Sequence, residues 1–481
     1  MPSSGCVIGS GPNGLAAGIV LAQAGLRVDV YEAEPQPGGA ARTLELTLPG
    51  FHHDFGSAVH PLAAGSPFFS SLPLRDFGLD WIHSPATLAH PFDDGTAVTL
   101  ERDLRAAEAA LGPDGRAWRE LMSPFVERWT EFVPEILGPI PHLPRRPFLL
   151  GHFGLKTLAS ARTLADRHFS SPRTKALFAG LAGHSFLALD ELLSGPFGMV
   201  MALAAHAVGW PIPRGGAQSI TNALCGFFAK LGGNVKTAAR VESLSAIPAY
   251  DVILCNITPR QLLRIADDRL SASYKRQLAN YRYGPAAFKV DYALNAPIPW
   301  RAKECLRAAT VHLGGSFEEI ANSEKAMRNG QHAERPFVLL VQPTLFDSSR
   351  APQAMHIAWA YCHVPNGSEV DMLGRIEAQI ERFAPGFKDC VVARRVSAPR
   401  NLEQMDANLI GGDIMGGAMD LTQSLFRPTW RQYATSAPRL YLCSASTPPG
   451  GGVHGMCGYH AAKLALSRLA LNEHGASHEA V

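Results

Sequence analysis

Residues 7–34 read "VIGSGPNGLAAGIVLAQAGLRVDVYEAE", and this stretch decides the fold. A short apolar run leads into Gly9, Gly11 and Gly14, spaced G-x-G-x-x-G. Leu15, Ile19 and Ala22 then share one helical face, Gly25 suits a C-terminal cap, and "LRVDVYEAE" alternates as a second strand. The three glycines have separate duties in such a turn. Gly9 permits the tight bend, Gly11 lets the backbone approach a pyrophosphate, and Gly14 lets helix and strand pack closely. The pyrophosphate would rest on the helix N-terminus, where free N–H groups favour an anion. Glu32 ends the second strand at the distance where an acid accepts ribose hydroxyls, and its charge repels a 2′-phosphate. A lone glycine motif is weak evidence; strand, loop, helix, strand and terminal acid together are strong. They predict an α/β protein of Rossmann type.

The same spacing recurs near the other end, in "STPPGGGVHGMCGYHAA" (446–462), with Gly450, Gly452 and Gly455. A strand, "RLYLCSAS", precedes it and a helical stretch follows. A second nucleotide fold would need another strand ending in an acid about twenty residues on, and no such strand appears before Val481. The tail loop is therefore expected to serve the first nucleotide, aiming a helix start at an electron-rich group.

Composition narrows the class. Lys plus Arg at 44 against Asp plus Glu at 42 leaves a net charge of +2, which gives no reason to expect nucleic acid. The eight cysteines form no C-x-x-C pair, so neither a redox dithiol nor a zinc knuckle is indicated, and no His/Cys/carboxylate cluster has metal-ligand spacing. Scattered single cysteines, a glycine loop within ten residues of Met1 and no apolar run of spanning length predict a reduced, cytoplasmic protein.

After Glu32 comes "EAEPQPGGAARTLELTLPGFHHDFGSAVHP" (32–61). With "FAPGFKDCVV" (383–392), "LIGGDIMGGAMDLTQSLFRP" (409–428) and the tail loop, it resembles the flavoproteins of the amine oxidase and phytoene desaturase superfamily, on the phytoene-dehydrogenase-like side. The resemblance implies one FAD and a discontinuous cofactor domain made of residues 1–64, 210–260 and 405–481. Residues 65–209 and 261–404 would be insertions that build a substrate domain. It also implies the contacts. Gly9, Ser10, Gly11, Pro12, Asn13 and Gly14 would form the phosphate loop, with Glu32 and Ala33 at the ribose. Gly38, Gly39, Ala40 and Arg42 would line the pyrophosphate and ribityl chain; the lesser alternative for Arg42 read alone is a solvated surface charge. Val59 and His60 would pass beside the flavin ring, Val241 would lie near the adenine, and Ser444, Gly451, Gly452 and Val453 would meet the flavin. Ser444 stands where a glycine is usual in that group, and Pro448 where a histidine is common.

Two residues are candidates for chemistry. In "FKVDYALN", Lys289 and Asp291 alternate with Phe288, Val290, Tyr292 and Leu294, so Lys289 faces opposite the apolar side. By resemblance to amine oxidases Lys289 touches the flavin; by residue type alone it is a strand lysine in solvent. His454, inside the tail loop, is a proton donor beside the ring or a passive loop residue. His184 and His206 read as core histidines.

The leading function is an FAD-dependent desaturase, dehydrogenase or isomerase acting on an apolar, isoprenoid or lipid-like substrate. The alternatives are a flavin amine oxidase and an FAD-stabilised interaction protein. An amine oxidase wants an aromatic cage, and near the tail only Tyr459 stands out. The proline-broken segment 134–155 crowds Ile136, Leu137, Ile140, Leu143, Phe148, Leu149, Leu150 and Phe153 beside Arg145 and Arg146. Prolines forbid a long helix there, so these side chains cannot share one buried stripe. They either cap the substrate domain or, at the substrate entrance, line a tunnel, cover a partner or meet a membrane surface.

Overall fold

The computed structural model describes residues 3–139 and 141–478, with side chains as far as Leu471; Ile140 lies outside the described residues. The opening stretch folds as β1 (Ser4–Ile8), α1 (Pro12–Gln23) and β2 (Arg27–Tyr31). β1 is apolar on both faces because it is central. It pairs in parallel with β2 on one side and with Val252–Cys255 on the other. Asn234–Lys236 extends the sheet beyond β2, and Leu440–Leu442 beyond Val252–Cys255, all in parallel. Pro12 starts α1 with its φ already helical, and Gly25 at φ +88° ends it.

Small residues on α1 let two helices settle on it. A Cβ on Gly18 would come within 3.2 Å of the Phe228 ring, on helix Gln218–Lys230. A Cβ on Gly458, in the tail helix Met456–His478, would come within 1.7 Å of the Asn13 carbonyl. The two glycine loops are thereby brought to the same end of the parallel sheet.

A seven-stranded sheet among the described residues forms the second layer, in the order Val391–Ser397, Ala286–Leu294, His356–Val364, Val338–Val341, Ala308–Leu313, Ala86–Pro91, Ala97–Leu100. Both inserted segments contribute strands to it. Helices of 104–207, among them Pro172–Gly183 and Ser194–Ala207, pack on the face that carries Trp359 and Tyr361, and helix Leu373–Phe383 covers the opposite face.

The alternating pattern around Val235–Val241 predicts a longer strand than Asn234–Lys236. The chain leaves the sheet because Ala238 takes a φ of +50° and two amides turn back, Ala238 to Glu34 O and Ala239 to Glu32 O. That bend carries Val241 to the acid. In 134–155 the prolines split the segment as expected, into helices Trp129–Ile136 and Pro147–Thr157. Among the described residues, no helix is long and apolar enough to cross a membrane.

Candidate functional site

A groove begins where β1 ends. One cleft is lined by Gly9, Gly11, Glu32, Ala33, Arg42 and Val241, and it opens into a chamber of about 300 Å³. The two share Gly11, Gly39, Asn256, Asp406 and Asn408, so they form one continuous path. It lies at the carboxyl ends of parallel strands, where an open α/β sheet leaves room for a ligand.

Steric facts explain the glycines. A Cβ on Gly14 would stand 1.9 Å from the Gly9 carbonyl, and one on Gly9 2.8 Å from the Asn256 carbonyl. A Cβ on Gly11 would meet Asn256 Nδ2 at 3.0 Å and narrow the floor of the groove. Glu32 is 7% exposed and holds this loop as well as facing the cleft. Its carboxylate accepts from Ser10 N at 2.8 Å, Ser10 Oγ at 2.5 Å and Glu34 N at 2.9 Å. Ser10 thus serves Glu32 and, through its Oγ, the Gly38 amide at 3.2 Å, while the groove itself is lined by its neighbours. Gly14 and Gly38 likewise shape the loop from behind.

Arg42 is buried, contrary to a solvated-charge reading. Two of its donors are committed to carbonyls, Nε to Gly39 at 2.7 Å and a terminal nitrogen to Met405 at 2.6 Å. It clamps the Gly38–Gly39 turn to the segment before Asp406. Asp406 is half-buried opposite, and desolvation there, reinforced by Glu32 and Glu34, pushes its carboxyl above the usual range. Asn13 Oδ1 and Asn408 Oδ1 are buried without hydrogen-bond partners.

At the chamber end, Pro12, Asn13, Ala40, His60, Ser444, Gly451, Gly452 and Val453 line the wall. Gly450 and Gly452 have φ of +112° and +124°, which glycine alone adopts without strain. His60 is 2% exposed, and neither ring nitrogen has a partner; burial lowers its pKa to about 4. Val59 packs half-buried against the core instead of lining the chamber.

Lys289 is 3% exposed, not solvated. Strand Ala286–Leu294 is buried on both faces: Phe288, Val290 and Tyr292 join the core of the second sheet, while Ala287 and Lys289 face the chamber. Its Nζ lies 2.5 Å from Asp291 Oδ2. Burial outweighs their attraction, driving the lysine pKa down and the aspartate pKa up, as in a pair sharing a proton. His454 behaves differently from a ring-side proton donor. It lies behind the loop, where its Nδ1 accepts from Met456 N at 3.0 Å and its carbonyl accepts from Ser66 Oγ at 2.7 Å. Burial lowers its pKa to about 4, which keeps it neutral and suits it to bracing the loop.

Sequence reasoning missed Asn256, Asp406 and Asn408. Asn256 was findable, since it directly follows the parallel strand Val252–Cys255 beside β1. It also missed an aromatic pair. Trp359 and Tyr361 line the chamber with ring centroids 5.0 Å apart at 65°, whereas Tyr459 packs on Phe68. The i, i+2 spacing in "HIAWAYCHV" carried that signal.

A family model described as an NAD(P)-binding Rossmann-like domain matches residues 7–69. The mouse protein called pyridine nucleotide-disulfide oxidoreductase domain-containing protein 2 is 26% identical, over 96% of this chain and 93% of its own length. A lycopene-forming phytoene desaturase of Pantoea ananas is 25% identical, over 94% and 96%. The solved structure of a putrescine oxidase variant shares the fold, with a TM-score of 0.63 at 15% identity over 98% of this chain and 99% of that one. The fold and these likenesses are those of oxidoreductases. The chain is similar to a phytoene desaturase over nearly its whole length. Its eight cysteines are all free.

Proposed function

We propose that this protein holds one FAD along the groove and dehydrogenates, desaturates or isomerises an apolar substrate in the chamber. The observation that carries this reading is the continuity of the path from Glu32 and Val241 to Lys289 and Gly451. Its floor is stripped of side chains at Gly11, and its orphaned amide oxygens on Asn13 and Asn408 await partners. Glu32 and Ala33 would hold the ribose, Gly11 and the start of α1 the pyrophosphate, and the Gly451–Val453 turn the flavin. Bound FAD supplies a two-electron acceptor for a C–H bond. The chain supplies the rest: Lys289 holds a movable proton at the chamber wall, and Phe186, Phe197, Met201, Leu402, Leu409 and Ile414 exclude water and fit an apolar body. Purified protein should be yellow, with one FAD per chain and no tightly bound NAD. A colourless protein that cannot be reconstituted with FAD would sink the proposal.

A second part concerns the surface. Leu143, Phe148, Leu155 and Leu158 are 93%, 91%, 87% and 62% exposed, while Leu149 and Phe153 of the same helix are buried. Exposed Arg145 and Lys156 flank them, and Glu135 pins the turn by accepting from the Arg145 and Arg146 amides at 3.0 Å. An outward apolar face ringed with cations supports peripheral contact with an anionic lipid surface.

A further inference from the structure

A chamber built for a plain hydrocarbon needs no hydrogen-bonding groups in its wall, because each one left dry and unpaired opposes folding. This wall carries several. Trp359 and Tyr361 project from one face of strand His356–Val364, directly across from Asp291 and Lys289 in the neighbouring strand. Both are more than nine-tenths buried, at 8% and 7% exposed. Trp359 Nε1 is buried without a hydrogen-bond partner, and Tyr361 lines the same chamber beside it. His184 joins them in the lining. Its Nε2 lies 3.0 Å from His312 Nε2, which commits one ring nitrogen and leaves Nδ1 for a ligand.

The end of the chamber is stiffened at a cost in strain. Phe186 sits at a φ of +58°, a conformation that bulky side chains rarely take. Its ring centroid lies 3.8 Å from that of His363, the planes tilted by 34°, and His363 Nδ1 is hydrogen-bonded to buried Glu324 at 2.7 Å. His184 follows helix Pro172–Gly183, and the aromatic pair belongs to the second sheet, so none of the three rides on a glycine loop.

The chemistry of the three groups selects the ligand. An indole N–H only donates, so whatever meets Trp359 must accept. A phenol and a neutral imidazole nitrogen can do either. An ammonium group only donates and would also face Lys289, so it satisfies this wall poorly. Building on the proposed function, we propose that the substrate is an oxygenated apolar molecule, an isoprenoid or long-chain alcohol or carbonyl compound, whose oxygen is held by Trp359, Tyr361 and His184.

The test is an equilibrium titration of the FAD-loaded full chain, read from the flavin absorption spectrum, so that binding is seen without turnover. The probes are an isoprenoid alcohol, the aldehyde of the same skeleton, the parent hydrocarbon and the corresponding primary amine. Alcohol or aldehyde should bind about 10-fold or more tighter than the hydrocarbon, since a site built to pair an oxygen rejects the analogue lacking it. Whichever of the two binds tighter identifies the functional group. Tyr361→Phe and Trp359→Phe should each bring that ratio towards one while FAD stays bound. Equal binding of alcohol and hydrocarbon, preference for the amine, no spectral response to any probe, or loss of FAD in Tyr361→Phe would each overturn the inference. The proposed function fails separately, if the wild-type chain cannot be loaded with FAD at all.

Discussion

Replacing Asp291 by Asn strands Lys289. The two are 0% and 3% exposed and 2.5 Å apart, so the lysine's nearest compensating charge is lost with the carboxylate. Removing one member of a buried pair costs about 3–5 kcal/mol, because the other charge stays dry. Burial already pushes the Lys289 pKa down, and without Asp291 it should fall further. A lysine whose folded pKa lies below its unfolded value leaves the unfolded chain binding more protons between the two. Stability of the variant therefore rises with pH towards the ordinary lysine range. Lys289→Met leaves the opposite problem, a buried aspartate already raised by burial, with His53 Nδ1 at 3.7 Å. A carboxyl raised above its unfolded value favours the folded state at low pH, so that variant is rescued by acid and weakened as pH rises. The double change Lys289→Met/Asp291→Leu should lose less than the sum of the single changes. Urea unfolding of all four proteins across pH measures this. Single losses below about 1 kcal/mol with no pH slope would mean the pair is hydrated, as surface pairs are. In the FAD-loaded enzyme, Lys289→Met should also slow flavin reduction or reoxidation by about 10²-fold or more.

Glu32→Ala should weaken FAD retention by about 1.5–3 kcal/mol and loosen the loop, because Ser10 and Glu34 lose their acceptor; Glu32→Gln, which keeps one acceptor oxygen, should lose less, and equal retention in wild type and both variants by equilibrium dialysis would refute the assignment. Gly14→Ala should abolish FAD binding, since its Cβ meets backbone at 1.9 Å; a variant with unchanged flavin content would contradict that packing. Acid should destabilise the chain as pH falls from about 6.5 to about 4. His60 and His454 are held to about 4 and His53 and His184 to about 3, so over that window the unfolded chain takes up protons that the folded one does not; a melting temperature flat across it would count against this. Vesicles containing phosphatidylglycerol should sediment the protein more than phosphatidylcholine alone, less so for Arg145→Glu/Arg146→Glu and Phe148→Ser/Leu155→Ser, and identical sedimentation of all three would assign the segment to the protein's own structure.

The sequence by itself determined the nucleotide half of this protein. Its signals are local: glycine spacing within one turn, a helix cap at Gly25, an acid at the end of the next strand. Each follows from backbone geometry within a few residues, so β1, α1, β2 and Glu32 were legible before any tertiary contact. The lysine's face was legible too, from strand alternation, but its environment was not. Whether Lys289 meets water or Asp291 and Trp359 depends on what covers the strand, and that cover comes from residues far away in the chain. The same holds for Arg42, whose partner carbonyl at Met405 lies 363 residues on. His454 reads from the sequence as a proton donor or a passive loop residue, and only its packing behind its own loop shows the burial that lowers its pKa to about 4. The chamber wall was least legible of all. Trp359 and Tyr361 share one strand and His184 follows a distant helix, so they meet only once the second sheet and the inserted helices close over the groove.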